Sequence, residues 1–360
     1  MRSYRTISFV FLGGPLAVLV LLALANLATS GAVRDGSRSW WDPGVAFSAD
    51  GLASLLSRAL YPAGISIDPG GAVIGRDGWL FLGDRYEGGV TAVRVAPTRA
   101  QSRAVERVAE GALAWRDWLK QQGVGQFWIL VAPDKDDVYP DYLPAWVGRV
   151  PGNRQDAMRS AFDSSILIDA GQALRTERLV QSELLFRRTD THWSNLGAWF
   201  AADAFFRRSS AADPGLQFPT AMELGQSWPT PGSDLAQFLR LEGVLVDEHQ
   251  HVTPIGAPVP QTQQVEYDIG DVVLPSRQKP QLMTTPNALN QRRVLWLHDS
   301  FGWAMAPYMH AAFTEVLDVH VLSRADVVGE LVNRFKPDIV LISVVDRQAD
   351  LRWLRSGPPD

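Results

Sequence analysis

Two short segments of this 360-residue chain carry side chains that can do chemistry together. Asp190-Thr191-His192-Trp193 places a carboxylate and an imidazole two residues apart. Asp299-Ser300-Phe301-Gly302 places a hydroxyl just after the apolar run Val294-Leu295-Trp296-Leu297. A hydroxyl is a poor nucleophile at neutral pH unless an imidazole takes its proton and a carboxylate orients that imidazole. Ser300 as nucleophile, His192 as base and Asp190 as orienting carboxylate would perform acyl transfer or ester hydrolysis. Each segment alone has a plainer reading. Asp299 or Ser300 can cap the helix that follows, and a lone Asp-x-His is more often a cap beside a satisfied histidine. A zinc-like site from Asp190, His192, His298 and Asp299 is a further alternative, though no helical histidine pair supports it. His249 and His251, beside Asp247 and Glu248, read as a solvated loop.

The elements that must hold these residues follow from hydrophobic pattern. Phe127–Val131, Ile166–Ile168, Val294–Leu297, Val316–Leu322 and Ile339–Val345 are continuous apolar runs, the mark of strands buried on both faces. Between or beside them, residues 98–122, 154–162, 196–208, 303–313 and 325–335 read as helices, with Ser194 or Asn195 as a cap. Strands alternating with helices predict a mostly parallel central sheet flanked by helices, an α/β fold. Ligands in such sheets bind at the carboxyl ends of strands, where Ser300 falls. A side chain there lies near the backbone N–H groups of a helix start, which can hold an oxyanion, and Gly302 lets the backbone approach closely. Val73–Leu82, with Asp77-Gly78 at its middle, reads as a hairpin. Residues 211–290, rich in Pro, Gly, Gln and Thr, read as a long irregular insertion that shapes the cleft.

The bulk composition bounds the function. A hydrophobic share of 46% and a charged share of 20% describe a globular protein. A net charge of −5 argues against a nucleic-acid partner. The absence of cysteine excludes disulfides, thiolate catalysis and cysteine-ligated metals. At the N-terminus, Arg2 and Arg5 precede an apolar run from Ile7 to Ala25. Its length is close to the roughly 20 residues of a spanning helix. We therefore expect an uncleaved signal anchor over residues 1–33, a transmembrane helix in the inner membrane, rather than a cleaved signal peptide. The arginines keep the N-terminus cytoplasmic and put the rest in the periplasm. Residues 34–72 read as a linker and 73–360 as the catalytic domain.

Further blocks carry a resemblance. Gly75-Arg76-Asp77-Gly78-Trp79-Leu80-Phe81, Val131-Ala132-Pro133-Asp134-Lys135 and Val138-Tyr139-Pro140-Asp141-Tyr142-Leu143-Pro144 come first. Thr189–Trp193, Gly232-Ser233-Asp234-Leu235, Asp299-Ser300-Phe301 and Lys336–Val340 follow in order. Together, over roughly residues 73–350, they resemble the SGNH-hydrolase-like domain of alginate O-acetyltransferases of the AlgJ/AlgX type. The resemblance implies a membrane-anchored or periplasmic enzyme that O-acetylates an exported polysaccharide, alginate or a similar polymer such as cellulose. Ser300, His192 and Asp190 would be its triad, with acetyl supplied by a membrane-bound acyltransferase partner and no metal or nucleotide cofactor. Lys135, Tyr139, Trp193, Arg324 and Gly302 are the expected cleft residues, with Trp303 beside them. Two departures stand out: His298 replaces the glycine expected before Asp299, and Ser343–Arg347 lacks the glutamates expected there. The rivals are an acetyl esterase with the same triad and a non-catalytic polysaccharide-binding scaffold.

Overall fold

The computed structural model describes residues 2–86, 89–91, 95–148, 154–270, 272–320, 324–349 and 351–359. Within these, the side chains of residues 2–12, 29, 31, 32, 154, 155, 158 and 352 are left undescribed. The first two strands, Ala72–Ile74 (β1) and Leu80–Leu82 (β2), pair antiparallel around a turn in which Asp77 and Gly78 have φ of 52° and 76°. Asp and Gly tolerate that left-handed region, which is why Asp-Gly marks the hairpin.

The remaining strands are Gln126–Ala132 (β3), Leu167–Asp169 (β4), Ala221–Pro231 (β5), Val246–Ile255 (β6) and Gln263–Glu266 (β7). Gln281–Thr284 (β8), Asn290–His298 (β9), Phe313–His320 (β10) and Ile339–Val345 (β11) complete the set. The central sheet has seven strands in the order β4-β3-β11-β9-β10-β8-β7. From β4 to β10 the pairings are parallel, whereas β8 pairs antiparallel with both β10 and β7. The sheet is therefore mixed rather than mostly parallel. The residues that change it come from the segment expected to be irregular, residues 211–290. That segment supplies the two antiparallel edge strands and the separate β5–β6 hairpin. One side of the hairpin packs partly against the core through Met222, Leu224 and Val252, but Pro, Gly, Gln and His residues interrupt it, so the apolar period that marks a strand in sequence is broken.

Side chains alternate across the central strands, so one sheet feeds two cores. Trp128, Leu130, Trp296 and Leu341 pack on one face with the helices Asn195–Ala212 and Gly302–Ala312. Ile129, Val131, Leu295, Ile342 and Val344 pack on the other with Arg99–Gln121 and Ala325–Phe335. Each such side chain contributes about 1.5–3 kcal/mol by leaving water, so continuous apolar runs suit only the sheet centre. Val316 begins the β10 stretch expected to reach Leu322; the strand is described as far as His320, and 321–323 lie outside the described residues.

The N-terminal segment departs from expectation. It folds as a helix, Arg2–Thr29, but among the described residues no helix is long and apolar enough to cross a membrane. The expected linker is tied to the body. Asn26 Nδ2 donates to Ala46 O at 2.9 Å, and Arg240 pairs with Asp50 at 2.6 Å.

Candidate active site

Strand β9 ends at His298, and the turn that follows is fastened from both sides. The Asp299 carboxylate accepts the Phe301 N–H at 2.9 Å and the Val345 N–H at 2.7 Å, and the Asp299 amide donates to Ser343 O at 3.2 Å. Asp299 thus binds the end of β9 to β11 and presents Ser300 at the carboxyl edge of the sheet. Burial raises the Asp299 carboxyl even though these amides favour its charged form. The Gly302 N–H donates to Asp299 O, so two of the expected helix-start donors are already used. Among the described residues the Ser300 amide takes no such partner, which makes it the amide left for an oxyanion.

His298 explains the glycine at 302. A Cβ on Gly302 would lie 2.2 Å from His298 Nδ1, far inside contact distance. The ring itself is 1% exposed; Nδ1 donates to Asp299 O at 2.6 Å and Nε2 to Asp318 at 2.7 Å. Burial pulls this histidine toward neutrality, but its hydrogen bonds to Asp318 and the Asp299 carbonyl outweigh burial and raise it. With both nitrogens donating, His298 has no lone pair for a metal, so the four-residue metal alternative loses one of its ligands. The departure from the family pattern is a buried histidine that bridges the Asp299 carbonyl and the Asp318 carboxylate beside the nucleophile turn.

His192 arrives on the loop before helix Asn195–Ala212. Phe186 and Trp193 form an isolated antiparallel bridge, and Ser194 caps the helix through the Gly197 N–H. Asp190 Oδ1 accepts both the His192 backbone N–H at 2.9 Å and ring Nδ1 at 2.7 Å. His192 Nε2 lies 2.8 Å from Ser300 Oγ. With Nδ1–H donated to a carboxylate, Nε2 carries the free lone pair and faces the hydroxyl proton. Burial works against the Asp190 charge, yet the His192 hydrogen bond and the Arg187 guanidinium, 2.5 Å from Oδ2, hold it well below the usual carboxylate range.

Several residues that the sequence did not single out hold this loop. Arg187 also meets His249 Nε2 at 2.8 Å. Asp234 accepts the Thr191 N–H at 2.8 Å and lies 3.7 Å from His192 Nδ1. Burial and the nearby Asp190 charge push Asp234 upward. Asp247, from the β5–β6 hairpin, accepts the Arg188 N–H at 2.9 Å and the Thr189 N–H at 3.0 Å. Asp234 stood within a recognised block, but only the fold brings it to the imidazole. Asp190, His192 and Asp234 also form a group with ligand atoms within 4.8 Å of one another. Arg187 already neutralises that group, and Nε2 is turned to Ser300.

The expected cleft residues divide. The cleft, about 780 Å³, is lined by Asp190, His192, Ser300 and Trp303 together with hairpin residues such as Glu248 and His249. Trp303 is 64% exposed. Lys135 does not line this cleft: it is buried, and its ammonium donates to the carbonyls of Arg187 at 3.1 Å, Arg188 at 3.0 Å and Asp190 at 2.6 Å. Burial draws it down to about 8, against the pull of Asp190, Asp234 and Asp247. Tyr139 is buried too, its hydroxyl accepting the Leu185 N–H at 2.9 Å. Trp193 underlies the cleft floor, 1% exposed, with its indole N–H on Phe301 O at 2.9 Å. Arg324 is exposed and pairs with its neighbour Asp326 at 2.6 Å, away from the cleft lining. Lys135 and Tyr139 therefore build the loop, whereas Trp193 lines the cleft with most of its ring packed in the core. Gly302 acts through His298. Asp346, in the segment without glutamates, is buried against Arg159 at 3.1 Å, and burial pushes its carboxyl well up.

A sheet with a Ser-His-Asp relay at its carboxyl edge is the arrangement of an acyl-transferring or ester-cleaving α/β domain. Residues 72–283 match the family described as SGNH hydrolase-like domain, acetyltransferase AlgX, and the chain belongs to that family. The matched stretch contains Asp190 and His192; Ser300 lies beyond it. A protein of Pseudomonas aeruginosa named "Probable alginate O-acetylase AlgJ" is 30% identical over 229 residues, 59% of this chain and 53% of that one. Its namesake from Pseudomonas putida is 26% identical over 216 residues, 58% of this chain and 52% of that one. The chain thus spans about half the length of these curated relatives. Among solved structures, the O-acetyltransferase domain of Pseudomonas putida AlgJ matches with TM-score 0.53 and 19% identity, over 79% of this chain and 99% of that one. Bacillus cereus PatB1 with a sulfonyl adduct matches with TM-score 0.55 and 13% identity, over 79% and 96%. At such identities these two structures support the fold.

Proposed function

We propose that this protein is an O-acetyltransferase that acetylates hydroxyls of an exported polysaccharide through an acetyl-Ser300 intermediate. The observation that carries the reading is the continuous relay from Asp190 through His192 to Ser300, with contacts of 2.7 and 2.8 Å. In the first half-reaction His192 Nε2 takes the Ser300 proton as Oγ attacks the acetyl carbonyl. The imidazolium then protonates the departing donor group, leaving acetyl as an ester on Oγ. In the second, a sugar hydroxyl gives its proton to Nε2 and attacks that ester, and Ser300 recovers its proton from the ring. Asp190 stabilises the imidazolium in both.

The site lies outside the cytoplasm in this reading. The arginine-led apolar run at the N-terminus supports that placement, as do the exposed Leu16, Val18, Leu21 and Leu24 of its helix. Acetyl-CoA is confined to the cytoplasm, so the acetyl group would come from a membrane-bound acyltransferase partner. The family and the names of the curated relatives support a polysaccharide acceptor.

The test is Ser300→Ala. The wild-type protein incubated with p-nitrophenyl acetate should gain one acetyl group on Ser300, seen by intact mass and peptide mapping. The variant should lose turnover by about 10,000-fold or more, the scale seen when a triad member is removed. A variant that retains wild-type acetyl transfer to oligosaccharide would end this reading.

A further inference from the structure

The charge of the cleft narrows the class of acceptor. Five of its described lining residues are carboxylates: Glu183, Asp190, Asp234, Asp247 and Glu248. Two are guanidiniums, Arg187 and Arg188, and Arg187 is held by Asp190 Oδ2 at 2.5 Å and by His249 Nε2 at 2.8 Å. That leaves Arg188 as the lining guanidinium without an ion-pair partner among the described residues, in a lining that also holds the exposed Glu248 and half-buried Glu183. Even with Asp234 protonated, the wall carries more negative than positive charge. A polyuronate brings one carboxylate with every sugar, and a cleft lined by one sign of charge repels ligands of that sign.

The same cleft offers an uncharged surface beside the nucleophile. Trp303, three residues after Ser300, is 64% exposed and lines the cleft. Its indole stacks on the His320 ring at 5.7 Å with an interplanar angle of 29°, which fixes one face and leaves the ring presented to solvent. An apolar aromatic face is the surface on which the C–H face of a neutral pyranose packs. We propose that the cleft takes an uncharged glycan rather than a polyuronate, with one pyranose seated on Trp303 and a free hydroxyl of the chain brought to acetyl-Ser300. This inference rests on the acetyltransferase reading above. It separates this chain from the alginate named for its curated relatives, since alginate is a polyuronate.

The experiment uses the full chain, p-nitrophenyl acetate as donor, and length-matched acceptors: neutral gluco-, manno- and galacto-oligosaccharides against oligomannuronate. A neutral acceptor should be acetylated with kcat/KM at least about tenfold above the uronate, the lower end of the range over which a cleft's field alters association. Trp303→Ala should raise KM for that acceptor several-fold with a smaller change in kcat, and Trp303→Phe should restore it. The double variant E183Q/E248Q should narrow the preference against the uronate. Uronate acetylation equal to or better than that of every neutral acceptor would overturn the proposal, as would a Trp303→Ala variant with unchanged acceptor KM. If acetyl-Ser300 forms but no sugar is acetylated, the transferase reading itself fails. That outcome is distinguishable because acetyl-Ser300 and acetylated sugar are measured separately.

Discussion

At the scale of single residues, the site is organised by which nitrogen of His192 carries the proton. Asp190 accepts Nδ1–H and leaves Nε2 for Ser300; Arg187 on the other oxygen keeps that carboxylate charged. Replacing Asp190 by Asn leaves the shape nearly unchanged, but the amide can turn its NH₂ toward Nδ1 and stabilise the opposite tautomer. Nε2 would then carry a hydrogen and could not accept the Ser300 proton. Asp190→Asn should therefore lower kcat by about 10,000-fold, as in the serine protease case, while the protein remains folded. Pre-steady-state release of p-nitrophenol should lose its burst, and far-ultraviolet circular dichroism should stay unchanged. A burst of wild-type rate in this variant would show that Asp190 does not set the tautomer.

At the scale of elements, the loop bearing Asp190 and His192 is held by groups from three places. Lys135 follows β3, Asp234 follows the β5 strand, and Asp247 lies on β6. The hairpin therefore supports the base as well as walling the cleft. Asp247→Ala would strand the buried Thr189 amide, at about 1–3 kcal/mol for that unmet donor, and free the part-buried Arg188 amide at a smaller cost. Its chemical-denaturation midpoint should fall, and its kcat should drop more than its affinity for acetyl ester, because His192 is misplaced rather than removed. A variant with wild-type kcat would show that the hairpin is only a wall. This level of organisation was half legible in the sequence. Apolar runs such as Phe127–Val131 and Ile339–Val345 announce buried strands, and Asp-x-His with Asp-Ser announces a relay, because their patterns are local. The hairpin was not legible, since Pro, Gly, Gln and His residues interrupt the apolar period of the side that meets the core. Lys135 and Tyr139 looked like cleft residues because a polar side chain in a recognised block reads as functional. Only the fold shows that their polar atoms are spent on loop backbone.

For the whole molecule, the pH response follows from titratable groups buried along the carboxyl edge of the sheet. His298, packed between Trp296 and Gly302, faces Asp318 and Asp299, with His320 6.0 Å away between ring centroids. Its folded-state affinity for a proton is raised, so its contribution to stability is complete below its unfolded value of about 6.5 and is lost as pH climbs through the higher folded value. His249, His310 and His320 are shifted the other way, chiefly by burial, so their effect on slope is confined to more acidic solution. Lys135, lowered to about 8, adds stability with rising pH only beyond that value, since there the unfolded chain binds the extra proton. The interval from about pH 6.5 to 8 therefore isolates His298 among these side chains. Urea midpoints of the wild-type protein should decline across it, and His298→Gln should flatten the decline whatever its absolute stability. Asp346, raised by burial, is common to both proteins and cancels in the comparison, whereas Asp299 loses the favourable charge of His298 and is pushed further up in the variant. Parallel slopes for the two proteins would mean that His298 is neutral in the fold. In that case the ion pair with Asp318 would not be what fixes the turn bearing Ser300.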